Sequence, residues 1–186
     1  METLNLIPPK TSLFIFEGPD GVGKTTASNR FGYELGWGVR HMTKPPIDFN
    51  YTSDYFDPIF NRAEFVLDRF HLGGIVYGKQ TNLHPNRVSD ETLKYVQLRL
   101  KYEFNARVVI MYYESDEKYR DRLIELKEER KCEEMFTLED CVRVNAKYRD
   151  NINDWTKNHV IDFSHPVDEL GYPDEKTITK WATSTL

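Results

Sequence analysis

Gly18-Pro19-Asp20-Gly21-Val22-Gly23-Lys24-Thr25 fits the spacing G-x-x-x-x-G-K-[ST] at every fixed position. Those residue types have a specific use together. Glycines let successive backbone N–H groups turn inward around an anion, and a helix that begins at the lysine adds partial positive charge. Lys24 can then reach the outer phosphates of a bound triphosphate, while the Thr25 hydroxyl is suited to ligating Mg²⁺. Average residue usage makes a chance match in a chain of this length roughly one in a few hundred. The loop therefore reads as a nucleoside triphosphate site made by Gly18, Asp20, Gly21, Val22, Gly23, Lys24, Thr25 and Thr26, with ATP and Mg²⁺ as the expected cofactors.

A second pair stands out. Asp68-Arg69 directly follows the apolar run Phe65-Val66-Leu67. At a strand end, both would project into the crevice that holds the phosphate loop. A guanidinium grips a phosphoryl group with two donors, and a carboxylate orients Mg²⁺ or its waters. Lys24, Asp68 and Arg69 are accordingly the first catalytic candidates, with Thr25 and Asp68 as the metal pair.

Composition restricts the partners. The chain has 186 residues, 25 Lys plus Arg and 30 Asp plus Glu, for a net charge of −5. A mildly acidic protein has no general attraction for DNA or RNA, so any phosphate must be held locally. The expected partners are small-molecule nucleotides rather than a nucleic-acid polymer. No run of about 18 apolar residues exists to span a membrane. Met1 to Lys10 lacks the charged-then-apolar pattern of a signal, so a cytoplasmic location is expected, the host cytoplasm if the chain is viral. Cys132 and Cys141 read as two reduced thiols on a helix. One domain covering 1–186 is expected.

The elements that must position these residues alternate. Leu13-Phe14-Ile15-Phe16 reads as a strand, followed by a helix from Lys24 to Leu35 with Ala27, Phe31 and Leu35 inward and Gly36-Trp37-Gly38 as its stop. A weaker strand covers Gly38 to Met42, and a third ends at Asp68. Ser89 reads as an N-cap for a helix carrying Leu93, Val96, Leu100 and Phe104. Arg107 to Tyr113 is the strongest strand signal. Helices are expected from Asp116 to about Lys131, from Leu138 to about Lys157 and from Glu175 to about Ala182, with a fifth strand over His159 to Phe163. Strands apolar on both faces and separated by helices imply an α/β fold with a parallel sheet covered on both sides. Ligands in such sheets bind beyond the carboxyl ends of the strands.

The stretch Phe16-Glu17-Gly18-Pro19-Asp20-Gly21-Val22-Gly23-Lys24-Thr25-Thr26 resembles the opening of thymidylate kinases, and Asp68-Arg69-Phe70-His71-Leu72-Gly73-Gly74-Ile75-Val76-Tyr77-Gly78 is similar to their Asp-Arg-aromatic segment. The wording of the second segment is nearest to small bacteriophage-encoded members. Arg120 onward, with Phe136, Arg143 and Tyr148, is similar in spacing to a helical lid and the helix after it. The resemblance implies a P-loop NTPase core of five parallel strands, a nucleoside monophosphate kinase-like lid at about 116–136, and transfer of the ATP γ-phosphoryl to a deoxynucleoside monophosphate, with dTMP first in line. It further implies that Asp20 faces the acceptor's 3′-hydroxyl, that Arg69 holds the acceptor phosphate and that Asp68 lies near Mg²⁺. An aromatic stacks on the acceptor base in this family. Tyr51, Tyr55, Phe56 and Phe60 are all candidates, with Phe56 carried forward, and Tyr77 joins the acceptor list, while His71 and His84 read first as packing or surface residues. A homodimer is compatible with the resemblance.

Three departures bear on the acceptor: only 44 residues separate Lys24 from Asp68, Thr43-Lys44-Pro45-Pro46 stands where the family carries Arg-Glu-Pro-Gly, and Gly73-Gly74 replaces a serine. A nucleoside kinase needs a carboxylate base near the 5′-hydroxyl, whereas a monophosphate attacks with an oxygen that is already deprotonated. The second strand ends Arg40-His41-Met42-Thr43-Lys44, with no acid before Asp48. Cations there, Lys44 included, suit an acceptor that arrives with a phosphate. The alternatives are a deoxynucleoside kinase and a non-kinase P-loop ATPase or switch. The interval Asp116 to Glu134 holds 14 charged residues in 19, expected as a solvated helix with i,i+4 pairs such as Asp116 with Arg120. Because the phosphate loop carries no arginine, the resemblance implies that the lid supplies one, with Arg130 as the catalytic candidate and Arg122, Arg120 and Lys131 as alternates.

Overall fold

The computed structural model describes residues 13–42, 64–80, 90–130 and 137–184. Five strands form one sheet: β1 (Leu13–Glu17), β2 (Gly38–His41), β3 (Phe65–Asp68), β4 (Arg107–Tyr112) and β5 (Phe163–Pro166). All pairings are parallel and the spatial order is β2-β3-β1-β4-β5. The described helices are α1 (Lys24–Leu35), α2 (Leu72–Gln80), α3 (Asp90–Tyr102), α4 (Asp116–Arg130), α5 (Leu138–Lys157), α6 (Val167–Leu170) and α7 (Glu175–Thr183).

Alternation along the strands builds two cores. Leu13 and Ile15 of β1, Leu67 of β3, and Val108 and Ile110 of β4 face one side, against Leu72 and Val76 of α2, Val96 and Leu100 of α3, and Val144 and Tyr148 of α5. Phe14 and Phe16, Val66, and Val109 and Met111 face the other, against Ala27 and Phe31 of α1, Tyr119 and Leu123 of α4, and Ile178 and Trp181 of α7. Both faces are thus covered, which requires the inner strands to be apolar on both sides. Phe31 is wedged between Phe14 and Phe16, with ring centroids 4.3 and 5.4 Å away. β2, at the sheet edge, is exposed throughout.

The helix ends follow local chemistry. Gly36 takes φ 68° at the C-cap of α1, a conformation that favours glycine. Thr137 and Asp140 form a capping box at the start of α5, and the Asp174 side chain accepts from the Thr177 N–H at the start of α7.

Three sequence expectations change. The fifth strand covers Phe163–Pro166 instead of His159 to Phe163. After α5 the chain turns through His159 at φ 54° and returns the Val160 N–H to the Trp155 carbonyl, so Val160 and Ile161 lie in the turn between α5 and β5 rather than in the strand. α2 was not expected as a helix, because Gly73, Gly74 and Gly78 weaken its signal. Finally, the expected Asp116–Arg120 pair within α4 gives way to bridges to α5, with Asp116 binding Arg149 at 2.9 Å and Arg120 binding Glu139, while Arg122 pairs along α4 with Glu125 at 3.0 Å.

β1 lies between β3 and β4, so the chain departs from β1 toward β2 and β3 on one side and later crosses to β4 and β5 on the other. The crevice at such a crossing is where the loops after the strands can diverge around a ligand.

Candidate active site

The loop after β1 runs into α1 with its glycines in conformations that side chains resist. Gly23 is the residue before α1, at φ 84°, and a Cβ there would sit 2.1 Å from the Tyr172 ring. Gly18 lies on β4: a Cβ would be 2.0 Å from the Met111 carbonyl oxygen. Val22 is fully buried and anchors the loop to the core. Lys24 is also buried, and its Nζ donates to the Pro19 carbonyl at 2.5 Å. Burial, and then the neighbouring Arg69 guanidinium, lower the Lys24 pKa to about 8. Thr25 and Thr26 are exposed at the first turn of α1.

Asp68 ends β3, with its side chain 1% exposed. Its Oδ2 accepts from the Thr25 hydroxyl at 2.5 Å and lies 2.6 Å from His41 Nδ1, while Oδ1 is buried without a partner. Register explains the arrangement, since Asp68 pairs with His41 of β2 on one side and Phe16 of β1 on the other. Thr25 and Asp68 are therefore brought together. Their oxygens suit a hard divalent cation, which takes carboxylate and hydroxyl ligands alongside phosphate oxygens.

Arg69 follows at φ 73°, a left-handed conformation that costs roughly 1–3 kcal/mol for a residue with a side chain. The turn sends its guanidinium back to the phosphate loop, where Nη2 donates to Asp20 Oδ1 at 2.5 Å. The Tyr77 hydroxyl of α2 also hydrogen-bonds to the Asp20 carboxylate. Burial pushes the Asp20 carboxyl up, but Lys24, Arg69 and the Tyr77 hydroxyl outweigh it and hold it below its ordinary value. Burial likewise opposes the Arg69 charge, and Asp20 outweighs that, so Arg69 is raised. Tyr77 itself is pushed well up by burial and stays a hydroxyl. Asp20, Arg69 and Tyr77 thus form one cluster beside the loop.

α4 packs onto that loop. The Tyr119 hydroxyl donates to the Asp20 carbonyl at 2.5 Å, and a Cβ on Gly21 would touch Leu126 and Leu123. Arg120 is committed to Glu139, and Arg122 to Glu125 at 3.0 Å. Arg130 is the last residue of α4, and its side chain lies outside the described residues. Lys44, Tyr51, Tyr55, Phe56, Phe60, His84, Lys131, Cys132 and Phe136 also lie outside them. His71 is buried with both ring nitrogens unpartnered, and burial lowers its pKa to about 3.

Several residues at the site were not singled out in the sequence. Glu17 is buried at the end of β1, and His41 reaches Asp68 from β2. Tyr119 touches the loop from α4, and Tyr172 covers Gly23. For Glu17 a signal existed: like Asp68, it is an acid closing an otherwise apolar run. For the tyrosines and His41, the contacts depend on tertiary placement.

No family model and no curated protein matches the sequence. Solved structures do match its fold. One is the YorR protein of Bacillus subtilis in complex with phosphorylated GDP, 19% identical, covering 85% of this chain and 87% of that one, with a TM-score of 0.65. Another is deoxyadenosine kinase from M. mycoides with bound dATP, 18% identical, covering 90% and 95%, with a TM-score of 0.54. The fold is that of the α/β P-loop NTPases, a five-stranded parallel sheet with helices on both faces. Among the described residues, no helix is long and apolar enough to cross a membrane.

Proposed function

We propose that this chain is a nucleotide kinase that transfers the γ-phosphoryl group of ATP to a deoxynucleoside monophosphate, with dTMP the first acceptor to test. One observation carries the reading: Arg69 is held at the phosphate loop, 2.5 Å from Asp20, so a phosphate-gripping guanidinium faces the triphosphate cradle across one crevice. The kinase named among the structural neighbours supports the same class.

In this reading the loop amides and Lys24 hold the ATP phosphates, and Lys24 places its charge where negative charge builds up as the phosphoryl group moves. Arg69 leaves Asp20 to take the acceptor phosphate, and Asp20 is freed to receive the acceptor sugar's hydroxyl. An acceptor phosphate oxygen bonds to the γ-phosphorus as the bridge to the β-phosphate breaks, and ADP leaves. Thr25 and Asp68 would hold Mg²⁺, which when bound offsets the charge of the outer phosphates. Tyr119, Leu123 and Leu126 tie α4 to the loop, so a lid arginine such as Arg130 would act from an element already in register with the phosphates. The working unit is a single domain acting on small nucleotides, with a homodimer as its assembly to be tested by sedimentation.

A deoxynucleoside kinase is the second reading, favoured by His41. Its imidazole stands at the end of β2, beside Asp68, where an acceptor hydroxyl would need a group to take its proton. ADP release measured against a panel of nucleosides and nucleoside monophosphates separates the two. Turnover with monophosphates alone supports the first reading, turnover with nucleosides alone supports the second, and ATP hydrolysis indifferent to every acceptor contradicts both.

A further inference from the structure

Arg69 needs an explanation of its own. It is not a glycine, yet it holds a left-handed backbone, and from that turn its guanidinium reaches Asp20. Such conformations persist where the surroundings over-determine them. The surroundings here are the end of β1. The Phe16 carbonyl accepts the Arg69 N–H at 2.9 Å. Glu17 Oε1 then accepts two further amides, from Phe70 at 3.0 Å and from Leu72 at 2.9 Å. Leu72 opens α2, so the same oxygen caps that helix from a distant strand, with the acid at the end where the helix dipole favours it. Every backbone N–H from Arg69 to Leu72 other than that of His71 is therefore taken by the last two residues of β1.

The carboxylate has no other evident employment. It is 1% exposed, too enclosed to meet a substrate directly. Its second oxygen lies toward Gly73, where a Cβ would stand 3.7 Å from Oε2 and 3.6 Å from the Tyr148 hydroxyl of α5. Lys24 from α1 and Arg69 from the turn face it electrostatically, as does Tyr148 from α5.

We propose that Glu17 is a positioning residue: by accepting the Phe70 and Leu72 amides it fixes the turn that aims Arg69 at the acceptor. The inference rests on the reading of Arg69 as the acceptor's grip. It differs from that reading in assigning the aim of the guanidinium to a residue that touches neither nucleotide.

The test compares Glu17→Gln, which keeps an acceptor oxygen, with Glu17→Leu, which fills the same space without one, and with Glu17→Ala. Two readouts are taken. The first is amide hydrogen exchange at Phe70 and Leu72, expected to quicken at least about tenfold in Glu17→Leu and Glu17→Ala and to recover in Glu17→Gln. The second is kinetic. Glu17→Leu is expected to lose about tenfold or more in kcat/KM for the acceptor, while affinity for a fluorescent ATP analogue stays within about threefold, with Glu17→Gln restoring the acceptor parameters. Should Glu17→Ala fail to fold, Glu17→Leu carries the comparison. Unchanged exchange in Glu17→Leu, or quickened exchange with acceptor kinetics intact, overturns the proposal. If the wild type phosphorylates no acceptor, the kinase reading fails separately. The inference is then decided by exchange and by the Arg69 guanidinium resonance on titration with inorganic phosphate. A response lost in Glu17→Leu and restored in Glu17→Gln upholds it, and a response equal in all three overturns it.

Discussion

Arg69 donates to the Asp20 carboxylate at 2.5 Å, joining the residue after β3 to the phosphate loop after β1 across 49 positions of sequence. Neither partner is deeply buried, with side chains 39% and 34% exposed, so the pair is open to exchange for a ligand. A half-exposed ion pair of this kind contributes on the order of 1 kcal/mol to stability. Its value lies in holding a guanidinium ready. Arg69→Ala is therefore expected to lose on the order of 10²-fold or more in turnover, the scale for one transition-state donor, while its melting temperature shifts by only a few degrees. Steady-state kinetics and a thermal melt check both halves, and near-normal turnover would remove Arg69 from the catalytic role.

Glu17 makes stability depend on pH in a defined direction. Burial raises its pKa from 4.5 to about 7, against the opposing pull of the Leu72 and Phe70 amides, Lys24 and Arg69. The folded protein thus holds this proton more tightly than the unfolded chain does. The contribution is fully present below about pH 4.5 and is lost as pH rises through about 7, a loss on the order of 3 kcal/mol. Glu17→Gln, which never ionises, should melt several degrees above the wild type at pH 8, with the gap closing toward pH 5. Melts across that range check it. A gap constant with pH would show that Glu17 does not titrate there.

His41 bears on the cation site through Asp68. With Thr25 it satisfies Asp68 Oδ2, leaving Oδ1 as the free ligand atom. Groups that orient a metal ligand in this way are typically worth about 10- to 100-fold in metal affinity. His41→Ala should raise the Mg²⁺ concentration for half-maximal turnover within that range, and should weaken Mn²⁺ binding measured by electron paramagnetic resonance. Asp68→Asn should do so more strongly. Equal Mn²⁺ affinity in wild type and His41→Ala would separate His41 from the metal.

The core makes its own prediction. Phe31 is fully buried between Phe14 and Phe16, and Phe31→Ala should cost about 3–5 kcal/mol. Urea unfolding measures it. A loss below about 1 kcal/mol would mean that the α1 face is not packed as described.

What the sequence made legible was local in origin. The phosphate loop needs its glycines and lysine within eight residues, and Asp68-Arg69 ends an apolar run, so both could be read and both meet in the structure. The strand cores were equally visible, because inner parallel strands are apolar on both faces. Contacts made between elements were not. Asp116 sits at helical spacing from Arg120 but binds Arg149 of α5, a partner that no one-helix rule supplies. α2 was hidden by Gly73, Gly74 and Gly78, although Leu72 and Val76 line the core. Its start is held by Glu17, 55 residues earlier. Ile161 is buried like a strand residue, and only the turn at His159 reveals that the strand begins later.

The central claim is that two anions share one pocket, a triphosphate on the loop and a second phosphate under Arg69. It is tested most directly by calorimetry with adenosine and deoxythymidine joined through five phosphates, compared with ATP. Linking two occupied sites should make the joined compound bind at least about tenfold more tightly than ATP, with that advantage absent in Arg69→Ala and the ATP affinity retained. A joined compound that binds no better than ATP, or whose advantage survives the loss of Arg69, would contradict the account.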